Sequence, residues 1–198
     1  MVAHVAVSVD GATTGFAPDQ RLFYELAGTW REDVTLVGAD TILAQEPALA
    51  TAPHPGPAAD GPLLAVVDGR GRVREWAALR EIGHWSDVLA LHAARTPPRP
   101  PDRPVRELVV GDERVDLAAA LEHLGRSGAA VVRVDSGGAL IAALLAAALL
   151  DELSLLVHPL LVPAAARWFG FGPGPRPFAL LAAEPVGDGL VWVRYRPR

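Results

Sequence analysis

The hydrophobic pattern of this chain changes period repeatedly, from two to about 3.6 and back. Residues 2–9 alternate, with Val5, Val7 and Val9 on one face, which predicts a strand closed by the turn chemistry of Asp10-Gly11. Leu22, Phe23 and Leu26 then form one stripe, predicting a helix over residues 20–27 with Asp19 as its cap and Gly28 at its end. Short apolar runs at 34–37, 63–67, 88–91 and 108–110 predict buried strands. Between them, residues 76–82 read as a helix, as does the segment from Asp116 to about Arg126 with Gly128 just beyond. Asp40-Thr41 predicts a single helical turn before Pro47. Residues 178–183 and 190–195 alternate around a turn at 185–189, predicting a terminal antiparallel pair.

The most informative stretch is residues 131–162. A β-type run ends at Asp135-Ser136-Gly137-Gly138, an Ala/Leu helix follows to near Asp151, and a second β-type run covers 153–157. Glycines at such a turn allow close backbone approach, and a helix start presents unpaired N–H groups. An anion such as a dinucleotide pyrophosphate suits that position. Tight packing of helix against backbone, with no ligand, explains the same two glycines.

Strands alternating with helices predict an α/β fold with a mixed, mostly parallel twisted sheet flanked by helices, plus a C-terminal antiparallel hairpin. Ligands of such sheets sit beyond the C-terminal strand ends. Four turns follow strands here: Asp10-Gly11, residues 38–41, residues 68–72 and residues 135–138. Their convergence on one cleft is the expectation drawn from topology, and it suits a nucleotide-sized ligand.

Bulk properties narrow the functional classes. At 198 residues one domain, 1–198, is expected, with residues 96–104 a Pro-rich surface loop rather than a linker. A net charge of −5 without any sustained basic run argues against nucleic acid. The longest apolar stretch, 139–150, falls short of the roughly 20 residues that cross a bilayer. Met1 leads directly into a strand, and there are no cysteines, so a cytoplasmic location is expected. None of the six histidines is spaced as a metal pair.

Taken in order, the four turns resemble the pyrimidine reductase domain of riboflavin biosynthesis, a family that shares its fold with dihydrofolate reductase. The matching segments are Ser8-Val9-Asp10-Gly11, then Gly38-Ala39-Asp40-Thr41-Ile42-Leu43-Ala44-Gln45-Glu46-Pro47, then Val66-Val67-Asp68-Gly69-Arg70-Gly71-Arg72. The most specific is Val134-Asp135-Ser136-Gly137-Gly138-Ala139-Leu140 followed by Leu149-Leu150-Asp151-Glu152-Leu153. The resemblance implies an NADPH site lined by Gly38, Thr41, Gly137, Gly138, Ala139 and Leu140, with the adenosine end at Gly69 and Arg70. Guanidinium groups at Arg70 and Arg72 suit the extra 2′-phosphate, although two solvated arginines in a turn fit the residues equally well. Asp135 occupies the position of the family's substrate-contacting glutamate, and Leu49 lies in its substrate segment.

The likeness also departs from the pattern. Gln45 replaces an acidic residue and cannot act as an acid or base near neutral pH, while Glu46 keeps one carboxylate. An arginine expected to grip a substrate phosphate is replaced by Ala52, with Arg21 and Arg31 the nearest substitutes. The companion zinc deaminase domain is not present in this sequence, which has no cysteine.

The resemblance thus implies an NADPH-dependent reductase similar to 5-amino-6-(5-phosphoribosylamino)uracil reductase, acting on a ribosylamino-pyrimidine or related small heterocycle. Its candidate catalytic residues are Gln45, Glu46 and Asp10, the last two as proton sources. Two alternatives stay open: a pterin-like or secondary-metabolite substrate, and a non-catalytic nucleotide-binding relative. The family commonly forms homodimers, and residues 153–162 with the C-terminal strands are the expected contact.

Overall fold

A computed structural model describes residues 1–163, 165–169 and 175–198. These residues form two compact units: Met1–Arg31 with Arg133–Arg198, and Glu32–Val132. The first is discontinuous in sequence, because the second is inserted between its opening strand and helix and the rest.

In the inserted unit, strands β2 (Val34–Gly38), β3 (Leu63–Val67), β4 (Asp87–His92) and β5 (Arg106–Val109) run parallel in the order β5-β4-β3-β2. The runs of β2, β3 and β4 are largely apolar and buried, as expected of strands covered on both sides, whereas edge strand β5 is mostly exposed. Helices α2 (Ala39–Leu49) and α3 (Trp76–Glu81) supply the crossovers from β2 to β3 and from β3 to β4, and α4 (Leu117–Arg126) follows β5. Trp76, Leu64, Val66, Val37, Ile42 and Leu49 form one buried cluster. Each buried leucine there contributes roughly 2 kcal/mol. Asp116 caps α4 as the sequence predicts, its Oδ1 accepting from the Ala119 amide at 3.0 Å.

Helix α2 corrects one expectation. Instead of a single turn ending before Pro47, it runs three turns and contains that proline. Pro47 has no N–H to give to the Leu43 carbonyl, but the helix ends only two residues later, and the Ala50 amide still reaches the Glu46 carbonyl at 3.1 Å.

In the discontinuous unit the strand order is β6-β1-β7-β9-β8, with β1 Val2–Ser8, β6 Val132–Val134, β7 Glu152–His158, β8 Phe178–Pro185 and β9 Val191–Pro197. β1 pairs parallel with β6 and β7, while β9 pairs antiparallel with β7 and β8. Helix α1 (Gln20–Ala27) is capped by Asp19, whose Oδ1 accepts from the Leu22 amide at 2.9 Å. It packs Phe23 against Leu156 and Leu190.

Helix α5 (Gly138–Ala146) stops earlier than the apolar run suggests. Ala148 turns left-handed at φ 53°, and the Leu149 amide closes back on the Leu144 carbonyl at 2.9 Å. Strand β7 is flanked on both sides, with Leu153 and Leu156 in the core. The expected contact surface of residues 153–162 therefore shrinks to its far end, at Leu161, with Leu180 and Leu181 exposed on edge strand β8.

A polar chain crosses this core. Trp192 Nε1–H donates to Ser154 Oγ at 2.7 Å, which lies 2.9 Å from His4 Nδ1, and His4 Nε2–H donates to the Phe23 carbonyl at 3.0 Å. The His4 ring stacks on Phe23 with centroids 4.3 Å apart. Burial pushes the His4 pKa down to about 4, against the opposing hydrogen bond to Phe23, so the ring is neutral at physiological pH.

Candidate functional site

In the inserted unit, β2 and β3 end side by side, with Gly38 in register with Val67. Parallel pairing therefore sets the 38–41 turn beside the 68–72 turn, at the strand ends where ligands of such sheets bind. Asp68 is the organiser. Almost fully buried, its carboxylate accepts from the Arg72 and Val73 amides at 3.0 and 2.9 Å, and its carbonyl accepts from Gly71 at 3.0 Å. Gly71 takes φ 64°, a conformation costly for a residue with a Cβ. Thr96, after β4, braces the same turn by donating its hydroxyl to the Gly69 carbonyl at 3.1 Å.

The two arginines of this turn differ. Arg70 is exposed. Arg72 is anchored, with an Nη2 atom 2.7 Å from Asp40 Oδ1. Its Nε–H is buried without an acceptor among the described residues, the unmet demand expected of a group that donates to an anionic oxygen of a ligand. The residues present thus fit the phosphorylated adenosine end of NADPH.

Other candidates on α2 take less expected places. Leu49 is buried in the core under the helix. Gln45 is exposed. Glu46 uses Oε1 to accept from the Arg74 and Glu75 amides, at 2.7 and 3.3 Å, just before α3. That bonding satisfies backbone donors that α3 leaves open.

In the discontinuous unit, Asp10 is gripped from three sides. The Ser8 hydroxyl donates to Oδ1 at 2.5 Å, the Val162 amide donates to the same oxygen at 3.2 Å, and Arg167 Nη1 lies 2.6 Å from Oδ2. The Ser8 bond and then the Arg167 guanidinium hold the carboxyl well below the usual carboxylate range. Asp10 is therefore ionised at neutral pH, a poor proton donor.

Arg167 also belongs to a short strap that pairs antiparallel with the segment after β1. Ala12 bridges Arg167, the Thr13 amide donates to the Ala166 carbonyl at 2.8 Å, and the Trp168 amide donates to the Gly11 carbonyl at 3.1 Å. This strap crosses the start of α5. A Cβ on Gly138 would stand 2.2 Å from the Arg167 carbonyl oxygen and 3.0 Å from the Trp168 carbonyl carbon. Gly138 is therefore explained by close packing of backbone on backbone. Gly137 differs: among the described residues nothing lies within 4 Å of a Cβ placed there, and its backbone is extended. Among the described residues, the backbone is therefore covered at Gly138 and open at Gly137.

Ala139 is exposed on the first turn of α5 and Leu140 is buried. Asp135, at the end of β6, pairs with the buried Arg133 at 3.2 Å. Of the substitutes for the missing arginine, Arg21 pairs with Glu25 at 3.0 Å on the helix surface, and Arg31 is exposed at φ 46°. His158 is buried, its Nε2 accepting from the Asp19 amide at 3.1 Å, which gives it a role inside the fold rather than at an interface. Arg167 and Thr96 carry no local sequence signal. Each is isolated in a Pro-rich loop, and only tertiary pairing reveals it.

Comparison with known proteins fits this arrangement. Residues 1–191 match the profile of the RibD C-terminal domain family. A 2,5-diamino-6-ribosylamino-4(3H)-pyrimidinone 5′-phosphate reductase of Archaeoglobus fulgidus is 33% identical over 144 residues, covering 66% of this chain and 63% of that protein. The match thus spans just under two thirds of the archaeal relative. Among solved structures, a pyrimidine reductase-like protein of Corynebacterium diphtheriae superposes with a TM-score of 0.75 at 16% identity, covering 100% of this chain and 91% of that one. Dihydrofolate reductase of Enterococcus faecalis, solved with NADP(H) and RAB-propyl, gives a TM-score of 0.55 at 11% identity over 100% of this chain and 95% of that one. Both show a shared dihydrofolate reductase-like fold. With that fold, and with a profile match running from the first strand into the last, the chain belongs to the RibD C-terminal domain family.

Proposed function

We propose that this chain is an NADPH-dependent reductase of a ribosylamino-pyrimidine 5′-phosphate, the substrate class in the name of its archaeal relative. The observation that carries the reading is the family match over residues 1–191, which includes every turn discussed above. Arg70 and Arg72 take the 2′-phosphate, Gly69 the adenosine, Gly38 and Thr41 the adjoining part of the dinucleotide, and Gly137 with Ala139 the diphosphate, while Gly138 and Leu140 shape that turn from within the fold. Asp135 accepts from N–H groups of the pyrimidine, and Gln45 offers an amide for hydrogen bonding.

When bound, NADPH supplies a hydride. The acceptor is the anomeric carbon of the ring-opened imine: the C=N bond becomes C–N, and the nitrogen takes a proton. Asp10 stays ionised, and Glu46 is committed to two backbone amides, so water delivers that proton. Orientation at about 3–3.5 Å between the reacting carbons is then the main demand on the protein. A homodimer formed through Leu161 and edge strand β8 is part of the proposal, and a solution mass of one chain would reject it.

The absence of an arginine at position 52 favours a second reading, in which the heterocyclic substrate carries no phosphate. Following NADPH oxidation with the phosphorylated ribosylamino-pyrimidine and its dephosphorylated form separates the two. Turnover of the phosphorylated compound alone supports the first reading, and turnover of the dephosphorylated one supports the second. Oxidation with neither removes both.

A further inference from the structure

We propose that Asp40 is a specificity-determining residue that weakens the preference for the 2′-phosphorylated cofactor by competing for Arg72. The inference rests on the cofactor reading above and deepens it. Asp40 stands two residues after Gly38, in the first turn of α2, and its carboxylate lies 2.7 Å from Arg72. A guanidinium recognises a 2′-phosphate through charge-assisted hydrogen bonds, and a carboxylate already on it occupies one of those donors. The pair is open to solvent, with the Asp40 side chain 80% and the Arg72 side chain 39% exposed. Such a pair is weak, so a phosphate displaces it, but the displaced carboxylate then faces the phosphate as a like charge. The same carboxylate accepts a hydrogen bond from the free 2′-hydroxyl of an unphosphorylated dinucleotide, the arrangement by which acidic residues select NAD over NADP in other folds. Arg72 attracts the phosphate and Asp40 opposes it, and the selectivity is set by their difference.

Asp68 makes this balance rigid. It fixes the backbone of Arg72 and Val73, so the guanidinium starts from one position rather than from a mobile loop. Arg70, exposed on the same turn, has no such competitor among the described residues and supplies the remaining attraction.

The experiment is calorimetric titration of NADP⁺ and NAD⁺ into the wild-type protein and into Asp40→Asn, Asp40→Glu and Arg72→Gln. Asp40→Asn is expected to raise the ratio of NADP⁺ to NAD⁺ affinity about fivefold, the scale of an exposed ion pair. Asp40→Glu should keep the wild-type ratio, and Arg72→Gln should lower it. An unchanged or lower ratio in Asp40→Asn, with wild-type binding intact, overturns this inference and leaves the cofactor reading standing. If the wild type binds neither dinucleotide, both fall together. Should Asp40→Asn not fold, the Asp40→Glu and Arg72→Gln ratios decide: no difference between them overturns the proposal.

Discussion

Asp10 and Arg167, 157 residues apart, form an ion pair of 2.6 Å that ties the strap at residues 165–169 to the end of β1. The strap's backbone covers Gly138, so one surface pair helps determine what stands at the entrance to α5. Removing it with Arg167→Ala should loosen the strap. Faster amide exchange at Thr13 and Trp168, whose N–H groups donate across the strap, is the expected sign. Unchanged exchange would mean the backbone pairing holds without the ion pair.

The same geometry keeps Asp10 ionised at neutral pH and so removes it as a proton donor. Its folded-state pKa is depressed, so the stability it contributes is present above its unfolded value of 3.8 and lost as pH falls below that. Asp10→Asn should therefore leave the shape of the pH–rate profile unchanged between about pH 6 and 8. A limb of the profile that disappears in the variant would reinstate Asp10 as an acid or base.

His4 predicts a pH dependence at higher values. Its folded pKa of about 4 lies below the ordinary 6.5, so the unfolded chain binds the extra proton between these values. Stability linked to His4 is complete above about pH 6.5 and is lost as pH falls toward 4, by about 3 kcal/mol over the whole window. In His4→Gln, which keeps a donor for Phe23 and an acceptor for Ser154, urea denaturation should show a flatter slope across that window. An equal slope in both proteins would assign the dependence elsewhere.

Ala148 closes α5 in a left-handed conformation that a Cβ disfavours, on an exposed position. Ala148→Gly should stabilise the protein by about 0.5–1 kcal/mol in denaturant unfolding, after allowing for the freer unfolded chain. Destabilisation would indicate that Ala148 makes contacts beyond its backbone role.

These details mark what local sequence conveys. Asp19 and Asp116 were legible as helix caps because the cap bond spans only three residues. The mostly parallel sheet with its antiparallel C-terminal strands was also legible, because apolar runs alternate with amphipathic ones and the last two runs flank a short turn. Pro47 misled, since a proline near a helix end removes one bond without stopping the helix. Glu46 and Leu49 read as site residues from their motif, yet one bonds the backbone before α3 and the other fills the core. The glycine pair was legible as a close approach, but which backbone or ligand approaches each glycine depended on the strap. Arg167 gave no signal because its partner is distant in sequence.

That division between the two glycines supplies the sharpest test. Gly138→Ala would drive a Cβ into the Arg167 carbonyl and should destabilise the fold by about 1–3 kcal/mol. Gly137→Ala meets nothing among the described residues, so weakened binding by a variant of unchanged stability reports a ligand. Calorimetric titration of NADPH into the wild type and Gly137→Ala is the decisive measurement. Binding by the wild type, with about tenfold weaker binding by a variant of unchanged melting temperature, is the predicted result. Wild-type protein that fails to bind NADPH, or a Gly137→Ala variant that binds it equally well, would contradict the placement of the diphosphate at this turn.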